Sequence, residues 1–131
     1  MDESAAAKET ATPDGDAVVT VLMTVPDASS AEGIVRELLD RGLVACGNII
    51  PGAVSIYRWK GRLERADEVV VILKTTDGLA ERVVEAARAS HPYEVPELLV
   101  QKVAGGNPDY LEWVRSECDG DGLAEDVPAW S

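Results

Sequence analysis

The only histidine of the chain lies in His91-Pro92-Tyr93-Glu94-Val95-Pro96-Glu97, which places an imidazole, a phenol and two carboxylates within seven positions. Such groups can ligate a cation, move a proton or line a polar cleft. Proline fixes its own φ and pushes its predecessor toward extended geometry. The segment is therefore expected to be a stiff, strand-like approach with His91 and Val95 held extended. Side chains of an extended segment alternate sides at about 3.3 Å per residue, so His91 and Glu94 face opposite ways and His91 and Glu97 stand ~20 Å apart. A metal ion needs ligands sharing bonds of about 2 Å. One chain then offers one good ligand, His91, with Met23 as a soft candidate and Glu94 and Glu97 as hard ones; a full site would need residues from the first strand or from neighbouring chains. The plainer reading is a braced interface in which these groups only lock the structure.

Other chemistry is thinly represented. Cys46 lies in an apolar run and is expected to pack as a small buried hydrophobe, away from His91. There is no Gly-x-Ser-x-Gly elbow, and no carboxylate pair is marked for acid and base work, so no enzymatic activity is expected. Gly105-Gly106-Asn107-Pro108 enters a helix but lacks the lysine of a phosphate-binding loop, and reads as a helix cap. Cys46 and Cys118 form no zinc or disulfide pattern. Cys118 is expected to be an exposed thiol.

Several elements must position these residues. Ala17 to Val25 is a β-branched run, a buried strand ended by Pro26-Asp27. Asp27 is expected to cap a helix in which Ala31, Ile34, Val35, Leu38 and Leu39 recur at helical spacing, stopped at Gly42. Val44 to Trp59 is a long strand that Pro51-Gly52 should bulge. Lys60-Gly61 is a hairpin turn, and Arg62 to Thr75 returns as a strand. Asp77 is expected to cap a second helix buried through Leu79, Val83, Val84 and Ala87. Leu98 to Val103 is a last strand. Asn107-Pro108 opens a short helix with Tyr110, Leu111 and Val114 on its buried face. The order β-α-β-β-α-β predicts an α+β, ferredoxin-like fold: one antiparallel sheet, both helices on one face, plus a C-terminal helix.

The long hairpin outreaches the strands that could flank it and carries Ile56, Tyr57 and Trp59. Uncovered strand edges and aromatic surface invite a second chain, so a closed homo-oligomer is expected.

Composition bounds the partners. The chain has 131 residues and 46% hydrophobic content, which fits one globular domain. Its net charge is −12, concentrated at the ends: residues 1–16 hold five acids and one base, and residues 117–131 five acids and no base. Residues 1–16 read as a disordered acidic leader, 17–116 as the folded domain and 117–131 as a flexible acidic tail. Arg58, Lys60, Arg62 and Arg65 sit among Glu64, Asp67 and Glu68, a solvated hairpin face rather than a nucleic-acid surface. There is no signal peptide and no apolar run of the ~20 residues that span a bilayer, so a cytoplasmic protein is expected.

Five stretches carry a resemblance: Val21 to Asp27, Ala45 to Gly61, Ile72 to Thr76, His91 to Glu97 and Gly106 to Trp113, in order across residues 17–116. In these the chain resembles the CutA family of divalent-cation tolerance proteins. The resemblance implies a tight homotrimer similar in architecture to PII signalling proteins, a cytoplasmic setting, and a role in tolerance of copper and other divalent cations, with no known enzymatic activity. It places proposed copper ligands at His91, at Met23 and at the position of Ser90, where some members carry cysteine at the second and histidine at the third. It assigns to an intersubunit cleft the positions of Tyr57, Trp59, Lys74, Tyr93, Glu94 and Glu97. The expected function is a trimeric divalent-cation response protein with weak copper or divalent-metal binding. The alternative is a PII-like signalling adaptor that holds a small molecule in the cleft and engages a further protein partner.

Overall fold

The computed structural model describes residues 14–120. In chain order, these form β1 (Val18–Val25), α1 (Ala28–Asp40), β2 (Cys46–Trp59), β3 (Arg62–Thr76), α2 (Ala80–Ser90), β4 (Leu98–Lys102) and α3 (Pro108–Glu117). A single four-stranded sheet runs β2-β3-β1-β4, with every neighbouring pair antiparallel. This is the expected α+β arrangement, split β-α-β order included.

The two-residue period of the strands assigns the faces. Val21, Met23 and Val25 of β1 and Val69, Val71 and Leu73 of β3 are buried beneath Ile34, Val35 and Leu38 of α1 and Val83, Ala86 and Ala87 of α2. On the opposite face α3 covers one end only, packing Val114 against Val18 and Ala45. Asp27 caps α1 as expected, its carboxylate accepting the Ser30 N–H at 2.7 Å. That bond holds the Asp27 carboxyl below its ordinary pKa. Gly47 lets α1 approach the sheet, because an added Cβ would stand 2.9 Å from Val35 Cγ2.

The β2–β3 hairpin turns at Lys60 (φ 52°) and Gly61 (φ 81°), both left-handed as the tightest hairpin turn requires. Its register shifts between Ile50 and Ala53, at the predicted Pro51-Gly52 bulge. β1 pairs with β3 only from Val69 to Thr76. Beyond that, residues 53–68 form a two-stranded arm carrying exposed Val54, Ile56, Tyr57, Trp59 and Leu63.

The structure corrects several expectations. His91 is extended as expected (φ −78°, ψ 139°), but residues 92–95 bend, so the segment is not a strand-like approach. It must carry the chain from the end of α2 into β4, and the Tyr93 N–H curls back to His91 Nδ1 at 3.1 Å. Asp77 does not cap α2, which starts at Ala80 after a 3-10 turn over Asp77–Leu79. Its backbone N–H instead ties that turn to the Ala17 carbonyl at 2.7 Å. Tyr110 is exposed, since α3 buries itself through Val114. Cys46 is half-buried rather than a core residue. Cys118 is half-buried too, packed against the Val18, Ala45 and Val114 cluster, and not an open thiol. Of the acidic leader and tail, residues 1–13 and 121–131 lie outside the described residues, and Asp14–Asp16 form a 3-10 turn.

Candidate functional site

The arm and the bends of residues 91–97 enclose a cleft of about 540 Å³ whose walls include Tyr57, Trp59, Glu68, Tyr93, Glu94 and Glu97. Each wall has a sequence cause. Strand alternation after the bulge puts Ser55, Tyr57 and Trp59 on one side of β2. The same period on β3 puts Glu68 on the face that α1 and α2 leave free. Hydrogen bonds of Tyr93 with Glu68 and of Thr24 with Glu97 hold the segment that carries Tyr93, Glu94 and Glu97 across from them.

A short polar chain fixes this geometry. His91 is nearly buried, 9% exposed. Its Nε2–H donates to the Thr24 carbonyl at 2.8 Å, while Nδ1 accepts the Tyr93 N–H at 3.1 Å. A nitrogen that accepts carries no proton, so these two bonds place the imidazole proton on Nε2. The Tyr93 ring packs 5.0 Å from the imidazole, and its hydroxyl donates to Glu68 Oε2 at 2.7 Å. Burial, then the bond to Glu68, push the Tyr93 hydroxyl pKa well above its ordinary value. Thr24 Oγ1 donates to Glu97 Oε1 at 3.4 Å. The segment is thus pinned to β1 and β3 through its side chains.

Five of the sequence-predicted residues meet here: Tyr57, Trp59, Tyr93, Glu94 and Glu97 line the cleft, with His91 behind Tyr93. Lys74 does not line it. It belongs to a second polar cluster, donating to Asn48 Oδ1 and standing 3.6 Å from Cys46 Sγ, which is 3.8 Å from the Tyr110 hydroxyl. Burial raises the Tyr110 pKa, and the neighbouring Cys46 adds to the effect. Met23 is fully buried in the core between Val71 and Leu98, so its thioether faces the helices. Ser90, the position before His91, donates to Glu37 Oε1 at 2.7 Å. Among the described residues, no three His, Cys, Asp or Glu side chains come close enough together to hold a metal ion.

Sequence reasoning missed Glu68. It had grouped this residue with the solvated charges of the hairpin. The available signal was a carboxylate directly before the apolar run Val69-Val70-Val71-Ile72-Leu73, where strand burial begins.

The sequence pattern of the CutA1 divalent ion tolerance protein family matches residues 19–117. The divalent-cation tolerance protein CutA of Escherichia coli is 44% identical over 100 residues, covering 76% of this chain and 89% of that protein. The crystal structure of CutA from Xylella fastidiosa superposes with a TM-score of 0.76 at 39% identity, covering 78% of this chain and 98% of that one. A structure from Archaeoglobus fulgidus, described as a periplasmic divalent cation tolerance protein CutA, gives a TM-score of 0.75 at 29% identity, covering 78% and 99%.

Proposed function

The chain belongs to the CutA1 divalent ion tolerance family, and from that premise we propose that it serves the response to divalent cations as a cytoplasmic homotrimer that binds rather than catalyses. The observation that carries this reading is the arm of residues 53–68, two-stranded beyond the reach of β1 and exposing Val54, Ile56, Tyr57, Trp59 and Leu63 among its charges. An isolated two-stranded hairpin is marginal in water. Cyclic symmetry lets each arm lie across the sheet of a neighbour, which covers both the arm and the free sheet face.

Within that assembly, copper or another divalent cation binds weakly at His91. To ligate, the imidazole must release either the Thr24 carbonyl or the Tyr93 amide. Met23 supplies no help from the core, and the exposed Glu94 and Glu97 offer oxygen donors on the same segment. Isothermal titration of the wild type and His91→Ala with copper and zinc tests this. A weak saturable uptake that diminishes in the variant is expected; equal uptake by both proteins would overturn the role of His91.

A second reading is favoured by the size and lining of the cleft. A volume of about 540 Å³ with aromatic walls suits a small molecule better than a bare ion. In this reading the protein is a PII-like adaptor that presents its loops to a protein partner according to cleft occupancy. A thermal-shift screen of nucleotides and metals separates the two. Stabilisation by a small molecule with no metal effect supports the adaptor, and the reverse supports ion response alone.

A further inference from the structure

We propose that the groove between the end of α1 and the flank of α2 is the docking surface for this chain's own residues 121–124, which lie along α2 from Arg82 toward Ala89. The groove belongs to the helix layer, opposite the arm, the open sheet face and the cleft. A neighbouring subunit laid over that other side leaves it accessible.

Three observations converge. The first is the path of the chain. α3 packs on the open sheet face through Val114, and Cys118 still joins that cluster. Two residues later the Gly120 N–H donates to the Gly42 carbonyl at 2.8 Å, just past the end of α1. Gly120 takes φ 75°, a conformation that favours glycine, and a Cβ there would stand 3.0 Å from an Arg82 guanidinium nitrogen and 3.3 Å from Leu79 Cδ2. The chain is thus carried round the end of the sheet to the helix layer and set against the first turn of α2. The second is the groove, about 610 Å³, whose walls include Arg41, Arg82, Ala86 and Ala89. Gly120 meets it at its Arg82 end. The third is the sequence that follows, Asp121-Gly122-Leu123-Ala124-Glu125-Asp126, with no basic residue from there to Ser131. Consecutive Cα atoms are about 3.8 Å apart, so Asp121 comes within one residue's reach of Arg82. A carboxylate there is favoured by the guanidinium and by the N-terminus of α2 alike.

The lengths agree. From Arg82 to Ala89, α2 rises about 10 Å. An extended chain covers that distance in about three residues, which brings Leu123 over the small side chains of Ala86 and Ala89. Glu81 and Glu85 also wall the groove. They disfavour further acids beside them and so fit the apolar pair Leu123-Ala124, with Glu125 and Asp126 falling beyond Ala89.

The test places the photoreactive residue p-benzoylphenylalanine at position 123 of the full chain and maps its cross-links by mass spectrometry. Cross-links to residues 82–89 of the same chain are expected, in a product that runs with the monomer on a denaturing gel. Ala89→Glu, a change at an exposed position that adds a carboxylate to the groove, is expected to lower the yield about 10-fold, the scale on which one buried leucine side chain shifts an equilibrium. Hydrogen exchange gives a second reading that no added side chain disturbs. A chain ending at Gly120 is expected to exchange the amides of residues 80–86 faster than the full chain does, and those of the arm at the same rate. Cross-links to the arm or to a second chain would give the segment another partner and overturn the assignment. A yield that Ala89→Glu leaves unchanged would move the segment out of the groove and overturn it too. Equal exchange in the two chains would overturn docking altogether, and so would the absence of any cross-link.

Discussion

Tyr93 joins the imidazole, the cleft and Glu68, so its hydroxyl is the most informative single atom to remove. Tyr93→Phe leaves Glu68 Oε2 nearly buried with no donor. An orphaned buried acceptor costs ~1–3 kcal/mol. Thermal denaturation is expected to show a lower midpoint, and an unchanged midpoint would show that water replaces the phenol. Cys118 gives a pH prediction. Burial pushes its thiol up to about 11 from an ordinary 9.0. A raised folded pKa means the thiol stabilises the fold fully below pH 9, a contribution lost as pH rises through about 11. Alkylation by iodoacetamide should be slow at neutral pH and accelerate steeply toward that value; rapid reaction at neutrality would contradict the burial. The kind of chemistry at His91 was legible from its neighbours. Its engagement was not, because the carbonyl that accepts from it belongs to Thr24 on β1, and strand-to-loop proximity leaves no local pattern in sequence.

Elements carry the next set of forces. Apolar period and punctuation located every strand and helix near its true place. The unbroken apolar run Val69-Val70-Val71-Ile72-Leu73 marks a strand on composition, and the strand's two-residue period then buries Val69, Val71 and Leu73. The His91–Glu97 segment was misread because each proline constrains only itself and its predecessor. The path of seven residues is set by where α2 stops and β4 must begin. Asp77 was misread as a cap because the 3-10 turn inserts before α2, a choice fixed by contact with Ala17 rather than by propensity. Gly47 tests the packing directly. Gly47→Ala drives a Cβ to 2.9 Å from Val35 Cγ2 and 3.1 Å from Leu73 Cδ2. Overpacking of this kind costs ~1–3 kcal/mol. Chemical denaturation is expected to shift its midpoint down with an unchanged slope; full stability would show that α1 yields freely. Ile56, 66% exposed, probes the arm. Ile56→Glu is expected to loosen the assembly without unfolding the subunit, read by light scattering beside circular dichroism. A variant that assembles normally would show that this face of the arm remains in water.

At the scale of the molecule, a core between one sheet face and two helices coexists with an opposite face that α3 covers at one end only. The arm, the open face and the cleft lie on the same side of that division, which is why assembly and function are coupled in this account. The sequence made the mismatch of hairpin and sheet visible through strand lengths alone. The family resemblance names five of the residues that line the cleft but not Glu68, because Glu68 and Tyr93 meet only when α2 and β3 are both in place. Native mass spectrometry of this chain reads the assembly without intermediaries. Three chains of 14.0 kDa, about 42 kDa together, are expected to fly as one species that survives dilution. A monomer at 14.0 kDa with the arm intact would contradict the account, since the arm and the free sheet face would then stand uncovered in water.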